Sequence, residues 1–358
     1  MPGLKDKMIS VGYGLGWSIV CRLPEAWTMG TFRFFADLAW RREGPRVQML
    51  EANLVRILGQ NVDGKALRTA SRGVMRNYGR YWLEIFRLPV MPVQQLVDGM
   101  HDRENAATRI LDTAAEGRGL VIALPHMGNW DQAGAWIITK GAGSFTTVME
   151  RLKPESLYER FVTFREGLGM EVLPASGGVR PFGILAQRLR AGKIVILPAD
   201  RDVTGSGIEV DFFGEKAKMM AGPAALAVLT GAALLPAALW FEDDGWGVHV
   251  GAEIKPPQDG TRSEKIAAMM QDIATFFEQG IREHPHDWLM LQKVFVADLD
   301  PERQARAAAR AARIGQNRTG AAQNGQAQSG QALSGPAQNG QAPGTIGSDG
   351  QRPGQDAR

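Results

Sequence analysis

His126 and Asp131 are the residues whose types and spacing first suggest chemistry, and they stand in the stretch L-V-I-A-L-P-H-M-G-N-W-D, Leu120 to Asp131. An imidazole with one ring nitrogen tied to a carboxylate is fixed in one tautomer and offers its other nitrogen as a base. Such a base takes the proton of a substrate alcohol, whose oxygen then attacks an acyl carbonyl. The same letters carry a plainer reading, in which Asp131 complements a helix N-terminus and His126 is a polar strand end. On residue types alone the two readings balance, because His-Asp pairs are common.

The elements that must position the pair are legible around it. Leu120 to Leu124 is an apolar run preceded by Gly117-Arg118-Gly119, the pattern of a strand buried on both faces. Pro125 cannot donate to a sheet ladder and ends it. Gly128 and Asn129 suit a tight turn, and Trp130, Ala133, Ala135, Trp136 and Ile137 recur at helical spacing. His126 is therefore expected at the carboxyl edge of a parallel strand, where ligands bind in open α/β sheets.

A second strand end leads to the same place. Ile194 to Pro198 is another buried-strand pattern closed by proline, and it delivers Ala199-Asp200-Arg201-Asp202. Two independent pieces converging on one edge weigh more than either alone. Asp200 and Asp202 also read as turn formers before Gly205. A metal between the paired carboxylates has no further ligands spaced to support it, so none is expected.

P-H-M-G-N-W-D resembles the H-x-G-N-W-[ED] block of the late acyltransferases of bacterial glycolipid synthesis, which contains the H-x4-D dyad of the wider lysophospholipid acyltransferase group. L-P-A-D-R-D-V-T-G-S-G resembles that family's strand-end D-x-D and glycine loop, and Val210-Asp211-Phe212-Phe213-Gly214 its F-F-G turn. His284-Pro285-His286-Asp287-Trp288 resembles its closing segment. The likeness runs from about Ala52 to Phe295 and is greatest to the phosphatidylinositol mannoside acyltransferases. It implies transfer of a fatty acyl chain from acyl-CoA, as co-substrate, to a mannose hydroxyl of that anionic glycolipid. His126 would then be the general base and Asp131 its orienting partner. It places Asn129, Glu150, Arg165, Asp200, Arg201, Asp202, Gly214 and Lys216 at the substrates. Arg165 falls where the family has a functional arginine, suited to clamping a phosphate or a carboxylate. Glu150 is expected to pair with such an arginine, and Lys216 to approach a donor phosphate. An exposed Arg or Lys is more often only solvated.

Composition bounds the rest. The chain has 358 residues, 44% of them hydrophobic, with one cysteine and a formal net charge of +3. That balance excludes a large nucleic-acid face, and the single Cys21 excludes an internal disulfide framework and a cysteine-based zinc cluster. No apolar stretch reaches transmembrane length. The fold expected is α/β, a central mostly parallel sheet flanked by helices, with a helical membrane-associating N-terminal portion and a disordered C-terminal tail. Residues 1–50 carry Trp17, Trp27, Phe32, Phe34, Phe35 and Trp40 beside Arg22, Arg33, Arg41, Arg42 and Arg46, in two helices broken near Pro24 and ended near Gly44-Pro45. Rings at headgroup depth with cations against anionic lipid make an interfacial helix. A peripheral place on the cytoplasmic face of the cell membrane is expected. Residues 51–300 form the acyltransferase domain. Residues 301–314 read as a helix with a basic stripe of Arg303, Arg306, Arg310 and Arg313, and residues 315–358 as low-complexity tail.

Three functions are weighed. A membrane-associated O-acyltransferase needs no covalent intermediate, since no serine or cysteine stands in an activated setting. An esterase or thioesterase would use the same pair on water, although no G-x-S-x-G elbow is present. A non-catalytic lipid-binding scaffold has no need of the His126/Asp131 pair. Within the first, lysophospholipids and lipid A-like molecules are alternative acceptors.

Overall fold

The computed structural model describes residues 16–151, 155–175, 181–203, 205 and 207–301. The readings made above of the first fifteen residues, the Arg303–Arg313 stripe and the tail from Gly315 lie outside them.

Helices build the N-terminal portion: α1 (residues 16–22), α2 (Glu25–Arg41), α3 (Pro45–Leu58), α4 (Gly64–Arg87) and α5 (Val93–Asp98). Pro45 opens α3 rather than only closing what precedes it, since its fixed φ and missing N–H suit the first helical position. Strands and helices then alternate as β1 (Met100–Arg103), α6 (Ala106–Ala115), β2 (Leu120–Leu124), α7 (Trp130–Ile137), β3 (Phe145–Met149), α8 (Glu155–Gly167), β4 (Met170–Pro174), α9 (Pro181–Arg190) and β5 (Ile194–Pro198). A hairpin of β6 (Ile208–Phe212) and β7 (Glu215–Met219) follows, then α10 (Gly222–Thr230), β8 (Ala233–Phe241), β9 (Trp246–Val250) and α11 (Arg262–Glu283).

Seven strands form one sheet in the order β1-β9-β8-β2-β5-β3-β4. Every pairing is parallel except β8 with β9. The expected α/β architecture with a mostly parallel sheet is thus observed. β1 was not expected, because only Met100 of its four residues is buried and apolar alternation has nothing to report. All of β2 is buried at the sheet's middle. Its side chains alternate between two cores, Val121 and Ala123 on one face and Leu120, Ile122 and Leu124 on the other. The first core is closed by α3, α4, α10 and α11, and the second by α5, α6 and α7. No helix among the described residues is long and apolar enough to cross a membrane.

Candidate active site

β2 and β5 pair in parallel register, Leu124 opposite Pro198, and the Ala199 N–H donates to the Leu124 carbonyl at 2.9 Å. Two residues past that matched pair lie His126 on one strand and Asp200 on the other. The register therefore sets the imidazole beside the Asp200 carboxylate. His126 Nδ1 is 2.6 Å from Asp200 Oδ1, and the His126 backbone N–H donates to Oδ2 at 2.8 Å. Trp288 Nε1 also donates to Oδ2, at 2.8 Å. Asp200 is 0% exposed. Burial pushes its carboxyl up, but the adjacent His126 ring, the ring and backbone hydrogen bonds and the Trp288 donor together bring it below the ordinary value. The His126 side chain keeps 26% of its surface open.

This corrects the pairing expected from the motif. Asp131 does not orient His126; it lies in the first turn of α7 and faces Arg165 on α8. Arg165 Nε and Nη2 grip its two oxygens at 2.6 and 3.0 Å, and the Tyr81 hydroxyl donates to Oδ2 at 3.1 Å. Asp131 is 2% exposed, so this is a buried ion pair. Burial works against the Arg165 charge, yet Asp131 holds the guanidinium above its ordinary value. Burial, with Asp131 next, pushes the Tyr81 hydroxyl well up.

The turn between β2 and α7 sets this divergence. After Pro125 the chain doubles back through a Met127 N–H to Pro125 carbonyl bond and reaches Gly128 at φ +59°. A Cβ at Gly128 would stand 2.7 Å from the Leu239 carbonyl carbon, so backbone conformation and space both require glycine. Asn129 then caps α7, its Oδ1 accepting from the Gln132 N–H at 3.1 Å. Its Nδ2 donates to Glu84 Oε2 at 2.7 Å, so the buried Asn129 is occupied in holding the turn rather than open to substrate.

Glu84 on α4 also receives Trp246 Nε1 at 2.7 Å and Arg80 Nε at 2.6 Å. Burial raises its carboxyl, against the pull of Arg80, Asn129 and Trp246. The other predicted residues lie on separate loops and strands. Glu150 follows β3 and accepts from Arg201 Nη2 at 3.0 Å rather than from Arg165, which is committed to Asp131. Asp202 accepts the Gly207 N–H at 2.7 Å and so holds its own loop. Gly214 turns the β6–β7 hairpin at φ +78°, and Lys216 pairs with Asp211 across that hairpin at 2.6 Å. Among the described residues, no group of three or more His, Cys, Asp or Glu is placed to share a cation. Reasoning from sequence gave no site role to Tyr81, Glu84 or Trp288, the last noticed only within the closing segment. The readable signal for the first two was a polar pair, Tyr81 and Glu84, on the mostly apolar buried face of α4.

The sequence model for bacterial lipid A biosynthesis acyltransferases matches residues 4–296, most of the chain. The chain belongs to that family. It is an acyltransferase, and the non-catalytic scaffold is set aside. Among its relatives is a phosphatidylinositol mannoside acyltransferase of Mycolicibacterium smegmatis, 45% identical over 313 residues that cover 85% of this chain and 96% of the relative. Proteins of the same name from two strains of Mycobacterium tuberculosis are each 48% identical over 302 residues, 83% of this chain and 92% of theirs.

Proposed function

We propose that this acyltransferase moves a fatty acyl group from acyl-CoA to a mannose hydroxyl of a phosphatidylinositol mannoside, with His126 as general base and Asp200 as its orienting partner. The observation that carries the mechanism is the 2.6 Å contact between His126 Nδ1 and a fully buried carboxylate. It directs Nε2 of the same ring toward the acceptor. Nε2 takes the hydroxyl proton as the oxygen attacks the thioester carbonyl. The new C–O bond forms, the C–S bond breaks, and the imidazolium returns the proton to the departing CoA thiolate. Asp200 stabilises the imidazolium between these steps. The relatives' names support the acceptor, and their shared length supports the whole reaction rather than one part of it. We assign the Glu150–Arg201 pair, at the ends of β3 and β5, to the acceptor's polar headgroup.

The same reading puts the enzyme peripherally on the cytoplasmic face of the membrane. Trp27, Phe34 and Phe35 on α2 are all more than half exposed, Trp27 at 71%, beside the exposed Arg33, Arg41 and Arg42. Rings and guanidinium groups on one short helix suit an anionic interface. Replacing Trp27, Phe34 and Phe35 together by Ser is expected to release the protein from anionic vesicles in a flotation assay. Undiminished flotation of that variant overturns the placement.

The reaction is tested with the full chain, palmitoyl-CoA and purified phosphatidylinositol mannoside, read by product mass. His126→Ala is expected to lose about 10³-fold or more in turnover while its unfolding transition stays in place. Turnover surviving in that variant removes the mechanism, and a wild-type enzyme that leaves the mannoside unchanged removes the acceptor.

A further inference from the structure

The segment Asp287–Leu289, which follows α11 and its capping turn, lies against the β2–α7 turn in a short antiparallel contact between Met127 and Trp288. Gly128 donates to the Asp287 carbonyl at 2.9 Å, and Leu289 donates to the His126 carbonyl at 2.8 Å. Those two bonds bracket His126 and Met127 from the backbone side. Between them the Trp288 side chain, 1% exposed, reaches past the turn to Asp200 and donates Nε1–H to Oδ2 at 2.8 Å. Its ring is walled by Phe212 and Phe213 of the hairpin, with centroids 5.9 and 6.4 Å away.

We propose that Trp288 is a positioning residue for acyl transfer: its indole N–H fixes the rotation of the Asp200 carboxylate and so aims His126 at the acceptor hydroxyl. The proposal rests on the His126–Asp200 mechanism and adds to it a residue that touches no substrate. Of the two rotatable bonds of an aspartate side chain, the last sets how the carboxylate plane is turned. Here one oxygen must face the ring, and the other is held by two donors of different origin, the His126 backbone N–H and Trp288. The backbone donor moves with His126 itself, so it cannot fix Asp200 relative to the rest of the protein. Trp288 can, because its ring is anchored in the aromatic wall and its backbone in the antiparallel contact. A phenyl ring would fill much of the same space and leave Oδ2 one donor short inside a site that excludes water, a loss larger for a charged acceptor than for a neutral one.

The test compares Trp288→Phe, Asp200→Ala and the double variant in the full chain, by steady-state turnover of acyl-CoA and glycolipid. Trp288→Phe is expected to lower kcat about tenfold with the KM for both substrates changed less than twofold. Added to Asp200→Ala, it is expected to cost less than twofold more, because no carboxylate remains to be held. A residue that only supports the fold would cost the same in both backgrounds. Trp288→benzothienylalanine, which keeps the ring's shape and replaces the N–H by sulfur, is expected to reproduce the tenfold loss even where the phenylalanine variant is poorly folded. Wild-type kcat in that variant, or equal losses in the two backgrounds, overturns the role of Trp288. If His126→Ala is inert while the benzothienyl protein is fully active, the base mechanism stands and this inference alone falls.

Discussion

Asp131 and Asp200 are residues of one type, both buried, both at the carboxyl edge of the sheet, and they meet opposite kinds of partner. Asp131 meets a guanidinium, which is charged at every working pH, and a tyrosine hydroxyl. Its charge is cancelled permanently, and what results is a fixed strut between α7 and α8. Asp200 meets an imidazole, whose charge changes during a proton transfer. On the mechanism proposed above, its stabilising effect is greatest when the ring has just taken a proton, which is the moment a base catalyst needs it. The partner decides whether a buried carboxylate supports architecture or chemistry, and the two substitutions to asparagine should separate the roles.

Asp200→Asn keeps the size of the side chain and removes its charge. It is expected to lower kcat by about 10⁴-fold, on the scale known for the orienting carboxylate of a catalytic triad, with the folded protein intact by circular dichroism. Asp131→Asn is expected to do the reverse. It strands the Arg165 charge in a buried site, at a cost of about 3–5 kcal/mol in urea unfolding. Whatever enzyme remains folded should turn over at a near-normal rate per active molecule. Replacing both partners, Asp131→Leu with Arg165→Met, is expected to recover most of that stability, because no lone charge is left behind. If Asp131→Asn instead proves stable and inert, the contrast between the two carboxylates collapses, and the H-x4-D spacing regains a direct role.

Gly128 is where the chain turns between His126, which meets Asp200, and Asp131, which meets Arg165. Gly128→Ala adds a methyl group against the backbone of Leu239 and Trp240 at a positive φ. The expected loss is on the order of 2–4 kcal/mol of stability, at the upper end for strain and overpacking at one position. A melting temperature within a degree of wild type would show that the turn can relax, and that the positions of His126 and Asp131 are not tied through it.

How much of this could be read beforehand follows from the kind of information each feature carries. The strands β2 and β5 were legible because continuous apolar runs closed by proline have few other readings. That His126 and Asp200 reach one edge was legible for the same reason. Their pairing was not, because strand register is a tertiary quantity: the match of Leu124 with Pro198 leaves no mark in either segment. The H-x4-D spacing instead drew attention to a local neighbour, Asp131, whose true partner Arg165 lies on another helix. Trp288 was noticed only as part of a familiar closing segment, since nothing in W-L-M-L announces a hydrogen bond to a residue 88 positions earlier. β1 was missed for want of an apolar pattern, and the helices of the N-terminal portion were found because theirs is strong.

A third buried acid, Asp287, extends the comparison to a carboxylate with neither a guanidinium nor an imidazole on it. Its donors are neutral: Asn77 Nδ2 at 2.6 Å and the Phe241 backbone N–H. Burial is the dominant influence and pushes its pKa up to about 7, with the Phe241 and Asn77 donors and the charge of Arg80 pulling the other way and Glu242 adding to the rise. The sign follows from linkage. The folded value lies above the unfolded one, near 3.9, so the protonated acid favours the fold at low pH, and that contribution is lost as pH rises from about 4 through about 7. Wild-type protein is thus expected to lose on the order of 2–3 kcal/mol of urea stability between pH 5 and pH 8 at this position. Asp287→Asn, which cannot ionise and keeps an acceptor for Asn77, should lack that part of the decline and be the more stable protein at pH 8. Because Gly128 hangs from the Asp287 carbonyl and not from its side chain, kcat at the optimum should stay within about twofold of wild type. Parallel stability curves for the two proteins from pH 5 to pH 8 would mean that water or a cation already neutralises Asp287, and the contrast among the three acids would then rest on Asp131 and Asp200 alone.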